Sequence, residues 1–303
     1  MSGRPFYVSL GWTIRDYAKR VWDNSGEDNV LFLAGGIAFN ILLAAVPFIM
    51  LVVWSSTYLF SAFDTSLNAA ETVLAAIDNF LPLNQGSDAS AIHTMLVDLF
   101  NSRGKIGLYG AIGFVWFSTR LFGSLRTTLA NIFDIESERG IIEGKIFDIK
   151  ITVIASILFV LSMAVTAYIS IATSRGVNEL VARGVRDDVM GGVEYWVGRL
   201  LAFTILVLMF FALYKFLPIR RVRSSTAWVA AGFTGLMFEI AREAFTYYVR
   251  AFQPGSLYSG TLISIVVIVV WCYYAALIFI LGGEVGQVYE LRRTRKLQRE
   301  VFS

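Results

Sequence analysis

Residues 29–63, NVLFLAGGIAFNILLAAVPFIMLVVWSSTYLFSAF, decide the fold because they contain no charged side chain. Asp28 and Asp64 bound this interval of 35 residues. The hydrocarbon core of a bilayer is roughly 30 Å thick, and a helix of about 20 apolar residues crosses it. The interval therefore holds one membrane-spanning helix, predicted over residues 31–60, and is too short for two spans and a turn.

The composition of the whole chain agrees with this interpretation. Its 303 residues are 56% hydrophobic and 16% charged, with a mean hydropathy of +0.63, whereas soluble globular chains carry roughly 25% charged residues. The hydrophobic share excludes a disordered chain, and a single cysteine, Cys272, excludes a disulfide-built secreted domain. A net charge of +3 leaves no large basic excess for phosphates, so no nucleic-acid partner is expected.

Five further charge-poor intervals predict five more spans. The second interval must continue through Arg120, because its uncharged part alone is too short to reach the far side of the membrane. The predicted spans after the first are residues 106–133, 151–174, 195–214, 224–243 and 258–283. Strands of a membrane barrel would alternate polar and apolar residues, and these intervals are apolar on all sides. The fold class predicted is an all-α polytopic protein with six transmembrane helices in one membrane domain, residues 1–303.

The basic residues predict the orientation of the chain. If the N-terminus is cytoplasmic, lysines and arginines on the cytoplasmic side outnumber those on the other side about two to one. Both termini are therefore predicted to be cytoplasmic, in the inner membrane of a bacterium. Residues 285–303 then form a basic cytoplasmic tail. No signal peptide is expected, because Arg15 and Asp16 interrupt any early apolar run.

Two segments outside the spans show helical periodicity. In residues 1–28 a stripe spaced by three and four residues consists of Phe6, Leu10, Ile14, Tyr17 and Val21. It predicts an amphipathic helix that either lies in the membrane interface or packs on the cytoplasmic ends of the spans. The outer loop, residues 64–105, contains two such stripes, within residues 67–81 and 92–100, which predict two short amphipathic helices.

The residue types that carry most enzyme chemistry are scarce in this chain. The one histidine, His93, lies in the outer loop, whereas zinc hydrolases need several histidine or cysteine ligands. The segment from Gly140 to Lys145 is one residue short of a phosphate-binding loop and lacks the following serine or threonine. We expect no catalytic residues, no metal, no cofactor and no enzyme activity.

Ionisable residues inside predicted spans identify candidate functional positions, since each costs roughly 2.5–3.5 kcal/mol on insertion scales unless it has a partner or a role. Arg120 lies about 21 Å along the second span from residue 106, at 1.5 Å per residue. Glu284 reaches about the same depth on the last span. The two are predicted to form an ion pair, and the alternative is that Arg120 extends its side chain to the inner headgroups.

A second charged group lies near the outer end of the fifth span. Glu239, Arg242 and Glu243 are spaced by three and four residues, which places them on one helical face. Arg242 is expected to pair with Glu239. The group is either a self-neutralised cluster at the interface or a polar patch that binds a charged substrate, an amphipathic substrate or a proton.

The first span contains two residues that can shape a cavity. Pro47 removes a backbone hydrogen bond near mid-membrane, and Asn40 lies seven residues earlier on about the same face. Transporters place binding sites at such interrupted helices, although structural kinks are also common there.

Several short motifs, in order and spacing, resemble the YihY/BrkB family of bacterial membrane proteins, and the likeness covers about residues 21–290. The motifs are residues 33–40 ending at Pro47, residues 129–133, 214–218, 258–260 and 281–284, and their marker residues are Asn131, Pro218, Gly260, Trp271, Gly282 and Gly283. The resemblance implies a six-helix inner-membrane protein with an envelope role. The family was once labelled ribonuclease BN, a tRNA-processing enzyme, and a chain with one histidine and no basic groove argues against that label.

The residues and the resemblance together predict a transporter or permease of a lipid or other amphipathic envelope component, without an ATPase of its own. Membrane lipid is the expected partner, and association of identical chains stays open. The alternative is a structural or accessory membrane protein that does not transport. A polar-lined cavity open to one side or to lipid would favour transport, and a tightly packed bundle with every charge in water would favour the accessory role.

Overall fold

The computed structural model describes residues 6–63, 103–135, 143–147, 149–151, 153–154, 187–218, 220, 222–252 and 260–301. The regular structure within these residues is helical and includes no strand, as the all-α prediction requires. The long helices, in chain order, are α1 (Phe6–Glu27), α2 (Val30–Phe63), α3 (Arg103–Ile132), α4 (Asp187–Phe216), α5 (Ser224–Phe252) and α6 (Gly260–Val301). Short helical pieces lie between residues 143 and 154.

Three stretches of the described helices are long and apolar enough to cross a membrane. They are Val30–Phe48 in α2, Arg199–Phe216 in α4 and Ile265–Arg295 in α6. The helices α3 and α5 have the length of a span but contain charged residues along it. The structure therefore confirms a membrane protein with three candidate spans, and the count of six stays a prediction. The predicted span 151–174 and both predicted outer-loop helices lie almost wholly outside the described residues.

The last helix continues well beyond the predicted end of its span. α6 runs without a break to Val301, whereas the sequence pattern predicted an end at Gly283. The predicted end marks only where the uncharged interval stops, because Glu284 follows Gly283 directly. In the structure Gly282, Gly283 and Gly286 lie inside α6, at close contacts with other helices.

Two helix pairs run antiparallel, which gives the bundle two distinct ends. On α4 and α5, Arg199 lies beside Glu239 and Tyr214 lies beside Thr234. Asp28, just before α2, and Asp134, just after α3, both lie near Glu284. At one end, α2 and α5 begin while α3 and α4 finish; Glu284 of α6 lies there, and we call it the Glu284 end. The opposite end, where α5 carries Glu239, is the Glu239 end.

The core lies toward the Glu284 end and depends on close contact at Gly282. The hydroxyl of Tyr214 lies 2.7 Å from Thr234 Oγ1 and donates a hydrogen bond to the carbonyl of Phe279 at 2.5 Å. The Tyr214 and Phe279 rings stack with centroids 4.9 Å apart. A Cβ atom on Gly282 would lie only 1.8 Å from Thr234 Oγ1. Helices α4, α5 and α6 thus meet at a point where only glycine fits.

Much of the exterior of the bundle is apolar. Trp22 is 80% exposed and Phe32 82% exposed, and only 11% of the Arg199–Phe216 stretch is buried inside the chain. Soluble monomers rarely expose apolar surface on this scale, so the surface suits contact with lipid or with another chain.

The helix α1 packs against the end of α6. Tyr17 donates a hydrogen bond to the carbonyl of Val285, and the Arg292 guanidinium lies 5.2 Å above the Tyr17 ring. Burial raises the pKa of Tyr17 to about 12, so its hydroxyl stays a donor over the whole physiological range. Asp16 pairs with Arg292 and with Arg20. The described part of this segment packs on α6, and its placement relative to the membrane stays a prediction.

We expect Gly282→Ala to lower the free energy of unfolding by about 1–3 kcal/mol, the usual cost of overpacking a filled site. The added methyl group would overlap Thr234 and approach the Tyr214 hydroxyl, at 2.5 Å from its oxygen. Gly232→Ala is the matched control, because nothing lies within 4 Å of its Cβ position. Thermal unfolding of the detergent-purified proteins measures both, and equal melting temperatures for the two variants would contradict the close contact.

We expect the contact of α1 with α6 to weaken at acidic pH. Hydrogen bonds from Arg292 and then Arg20 hold the pKa of Asp16 below its ordinary value of 3.8. The contribution of Asp16 is therefore complete above pH 3.8 and is lost as the pH falls through the lowered folded-state pKa.

Hydrogen exchange of α1, measured on wild type and Asp16→Asn at each pH, tests this. The wild type should be better protected than the variant at neutral pH, and the difference should vanish in acid. A difference that does not change with pH would rule out Asp16 as the titrating group. Exchange in α5 serves as the internal control.

Candidate functional site

Four charged side chains from α4 and α5 form a network at the Glu239 end. Arg199 Nη2 lies 3.0 Å from Glu239 Oε1 and 2.7 Å from Glu243 Oε1. Arg242 Nη2 lies 2.7 Å from Glu239 Oε1 and 3.8 Å from Glu243 Oε1. We call these four residues the α4–α5 charge cluster. The pair of Arg242 with Glu239 forms as the spacing of three residues predicted.

The two glutamates of the α4–α5 charge cluster have different environments. The Glu239 side chain is 19% exposed and accepts from both guanidinium groups, whereas the Glu243 side chain is 57% exposed. The antiparallel packing of α4 on α5 brings Arg199 to this face, 40 residues away in sequence from Glu239. The cluster carries two positive and two negative charges, and Glu243 is its most accessible member.

An exposed stripe of α5 runs through this cluster. Leu236, Ile240, Glu243 and Tyr247 are all exposed and follow one another at spacings of four, three and four residues, which places them on one helical face. On α4, the exposed Leu200 follows Arg199 directly. The charges are thus bordered by apolar side chains on the outer surface of the bundle.

Glu284 is the second charged site and is enclosed at the opposite end. It has 0% exposure, and neither of its carboxylate oxygens has a hydrogen-bond partner in the described part of the chain. Close contacts on both sides of it hold α6 in place, since a Cβ on Gly283 would lie 3.2 Å from Ile132 and one on Gly286 would lie 3.1 Å from Ala230. These contacts hold α6 against α3 and α5, while the Glu284 side chain faces α1 and the turn after it.

Polar groups from three other parts of the chain lie around Glu284. Asn24 of α1 and Asp28 of the turn after α1 lie against its carboxyl group, and Asp134 adds a further acidic group beyond α3. Asn24 Nδ2 donates to Gln287 Oε1 at 3.0 Å, and Gln287 Nε2 donates to Asp134 Oδ2 at 2.9 Å. We call these five residues the Glu284 cluster. Asp134 has a φ of 50°, a left-handed conformation that aspartate tolerates better than most residues.

The predicted ion pair between Arg120 and Glu284 is not present in the structure. Arg120 is exposed on α3, whereas Glu284 is fully buried against other neighbours. The depth estimate from helical rise describes position along the membrane normal only, and it does not determine which face of each helix meets the other. Of the two sequence-based alternatives for Arg120, extension outward from the helix agrees with its exposure.

Asn40 and Pro47 contribute to helix packing in the described structure. Asn40 Nδ2 donates to the carbonyl of Gly36 in its own helix at 3.0 Å. Pro47 is buried, with its Cβ 3.5 Å from the Cβ position of Gly113, and the neighbouring Phe48 and Phe114 rings have centroids 5.4 Å apart. The proline thus marks the crossing of α2 and α3, and a role in shaping a cavity stays a prediction.

The marker residues of the resemblance occupy mainly structural positions. Pro218 is buried just after α4, Trp271 is 4% exposed between Phe238 and Phe245, and Asn131 is exposed near the end of α3. Gly260 begins α6. Gly282 and Gly283 are the glycines of the close contacts described above. Most of the marker residues therefore lie in α6, and several of them take part in its packing.

Sequence reasoning predicted the pair of Arg242 with Glu239 but missed Arg199 and the neighbours of Glu284. Arg199 lies within the predicted span 195–214, and its place directly before an apolar stretch is the available signal. Asn24, Asp28, Asp134 and Gln287 were not singled out; Asp28 and Asp134 each end a helical or apolar segment, which is the available signal. Among the described residues, no three histidine, cysteine, aspartate or glutamate side chains come together in a way that could hold a metal ion.

Comparison with known proteins identifies relatives along nearly the whole chain. The family described as virulence factor BrkB matches residues 21–301. The chain is 26% identical over 265 residues to the UPF0761 membrane protein of Pseudoalteromonas atlantica, with 88% of this chain and 83% of that protein covered. It is 24% identical over 302 residues to a UPF0761 membrane protein of Alteromonas mediterranea, with 98% and 97% covered.

The UPF0761 membrane protein of Chlorobium chlorochromatii is 27% identical over 261 residues, and the match covers 85% of this chain but 56% of that protein. No solved structure matches this chain. These similarities support a membrane protein, and the printed names assign it no activity.

We expect Glu239→Ala to destabilise the protein by about 1–2 kcal/mol, because it leaves two guanidinium groups without their shared, largely buried acceptor. Glu243→Ala is the matched control on the same helix, and its exposed carboxylate should contribute about 0.5 kcal/mol or less. Thermal unfolding in detergent compares the two. Equal losses, or a larger loss for Glu243→Ala, would contradict a central role for Glu239 in the cluster.

Proposed function

This chain belongs to the virulence factor BrkB family, and we propose that it is a membrane transporter of a lipid or other amphipathic envelope component, without an ATPase of its own. The proposal includes six spans in the inner membrane of a bacterium, with both termini and the Glu284 end on the cytoplasmic side, as the excess of basic residues there favours. The function is movement of a molecule and involves no chemical step on it.

The observation that carries the proposal is the α4–α5 charge cluster. Two guanidinium groups lie at the surface of helices that are long enough to span a bilayer, next to exposed apolar residues such as Leu200 and Ile240. Guanidinium groups bind phosphate through paired, charge-assisted hydrogen bonds, and the adjacent apolar surface suits acyl chains. An anionic amphipathic molecule matches both features at once.

The arrangement of the cluster also allows a substrate phosphate group to replace one of its carboxylates. Glu239 is held by both arginines and keeps them in place, whereas the more exposed Glu243 contacts Arg199 at 2.7 Å and Arg242 at 3.8 Å. An incoming phosphate group can take the position of the Glu243 carboxylate without separating Arg199 or Arg242 from Glu239. Glu243 then competes with the substrate and limits how tightly it binds.

The position of the charges argues against a purely accessory role. A packed bundle that only docks partners would be expected to direct all of its charges into water. Here Glu239 is 19% exposed and Glu284 is completely buried, each within a long helix. Buried ionisable residues in membrane helices are costly, and they commonly mark substrate or ion pathways.

Transport of fluorescent phospholipid between the leaflets of reconstituted vesicles tests the proposal. Arg199→Ala should slow the movement of an anionic lipid about tenfold, the loss that corresponds to one charge-assisted hydrogen bond, with less effect on a zwitterionic lipid. Glu243→Ala should change it in the opposite direction and accelerate the anionic lipid, because the competing carboxylate is removed.

Arg223→Ala is the matched control, since this arginine is exposed at the other end of α5, outside the cluster. It should move lipid at the wild-type rate. Absence of lipid movement in the wild type, or equal rates in Arg199→Ala, Glu243→Ala and the wild type, would overturn the proposal and favour the accessory role.

A further inference from the structure

The buried Glu284 carboxyl group would need a positive charge or a proton beside it to balance its own charge. It is fully buried, and neither oxygen is hydrogen-bonded to any described group. An isolated ionised carboxylate in a water-free interior is so unfavourable that the group normally becomes neutral or acquires a cation. Its close neighbours Asp28 and Asp134 add negative charge and so make ionisation harder still.

Among the described residues, no cation is placed to balance this charge. Arg120 is exposed on α3, and the ion pairs of the nearby Arg292 are with Asp16, on the α1 side of the contact. No described lysine or arginine forms an ion pair with Glu284. The carboxylates around it are not placed to hold a metal ion either, as far as the described residues extend. A proton bound to the carboxyl group itself neutralises the charge without any other partner.

We propose that Glu284 is a proton-binding site, at which the buried carboxyl group takes up a proton from water at the Glu284 end of the bundle and returns it there. Only an oxygen–hydrogen bond forms and breaks, and the proton comes from and returns to solvent. On the proposed transport function, on which this part rests, the pH at the Glu284 end determines the fraction of molecules that carry this proton and thereby regulates the rate of transport.

The Glu284 cluster supplies a path for that proton. Asp28 is half-buried and lies against the Glu284 carboxyl group, so it can pass a proton between that group and the surface. Hydrogen bonds of 2.9 Å and 3.0 Å, which join the exposed Asp134 to Gln287 and Gln287 to Asn24, hold Asn24 beside the Glu284 carboxyl group. These two amides position the site and do not carry the proton. The other neighbouring titratable groups have partners of their own, since Tyr17 donates to Val285 and Glu290 accepts from Thr226.

Infrared spectroscopy of the purified protein tests proton binding directly. The carbonyl band of a protonated carboxylic acid should be present at neutral pH in the wild type and should disappear in Glu284→Gln. Glu290→Gln is the matched control, six residues further along α6, and it should keep the band. The same band in wild type and in Glu284→Gln would overturn the proposal.

A second variant covers the case in which Glu284→Gln does not fold. Asp28→Asn keeps the shape of the neighbour and removes its negative charge, so Glu284 should release its proton at lower pH and the band should vanish earlier in an alkaline titration. Wild type and Asp28→Asn with identical titrations would overturn the arrangement proposed here.

Lipid movement in vesicles at several pH values, with the same pH on both sides of the membrane, separates the two proposals. The rate of the wild type should change over the pH range in which the infrared band of Glu284 disappears, and the rate of Glu284→Gln should not change over that range. The same pH dependence in both proteins would overturn the regulatory role of Glu284. No lipid movement in either protein, combined with the infrared band of Glu284, would contradict the transport function and leave the proton site standing.

Discussion

The structure depends on the close approach of α6 to α4 and α5 at Gly282. The Tyr214 hydroxyl joins all three helices, since it contacts Thr234 and donates to the carbonyl of Phe279, while Gly282 leaves the space that these groups fill. Apolar burial provides little force between helices in lipid, so association relies on tight packing and interhelical hydrogen bonds. Both occur at this one point, and the buried part of the core extends from it.

This packing determines the different character of the two charged sites. At the Glu239 end, where α4 and α5 meet at their surface, opposite charges pair and stay partly accessible. At the other end, close contacts at Gly283 and Gly286 press α6 against α3 and α5, and Glu284 is buried with no ion pair to any described residue. The two sites therefore differ in exposure and in charge balance, and the two proposals above rest on that difference.

The sequence predicted the features that depend on local pattern. Charge-free intervals indicated the positions of the long helices, and the spacing of Glu239 and Arg242 predicted their ion pair. Features that depend on how helices turn toward one another could not be predicted. Arg199 is 40 residues from Glu239, and helical rise placed Arg120 and Glu284 at one depth but on faces that do not meet. The predicted end at Gly283 marked only the end of an uncharged interval, and α6 continues past it because a charged residue such as Glu284 does not end a helix.

The contact of α1 with α6 has a consequence for biogenesis. Tyr17 and Val285 are 268 positions apart, and their hydrogen bond joins α1 to α6. Contacts of such long range form late, because the intervening chain must first be made and arranged. Until then the α1 surface that later contacts α6 is exposed, as is the side chain of Asn24. The contact can therefore form only after α6 has been synthesised, so the closure of this surface reports that the intervening helices are already in place.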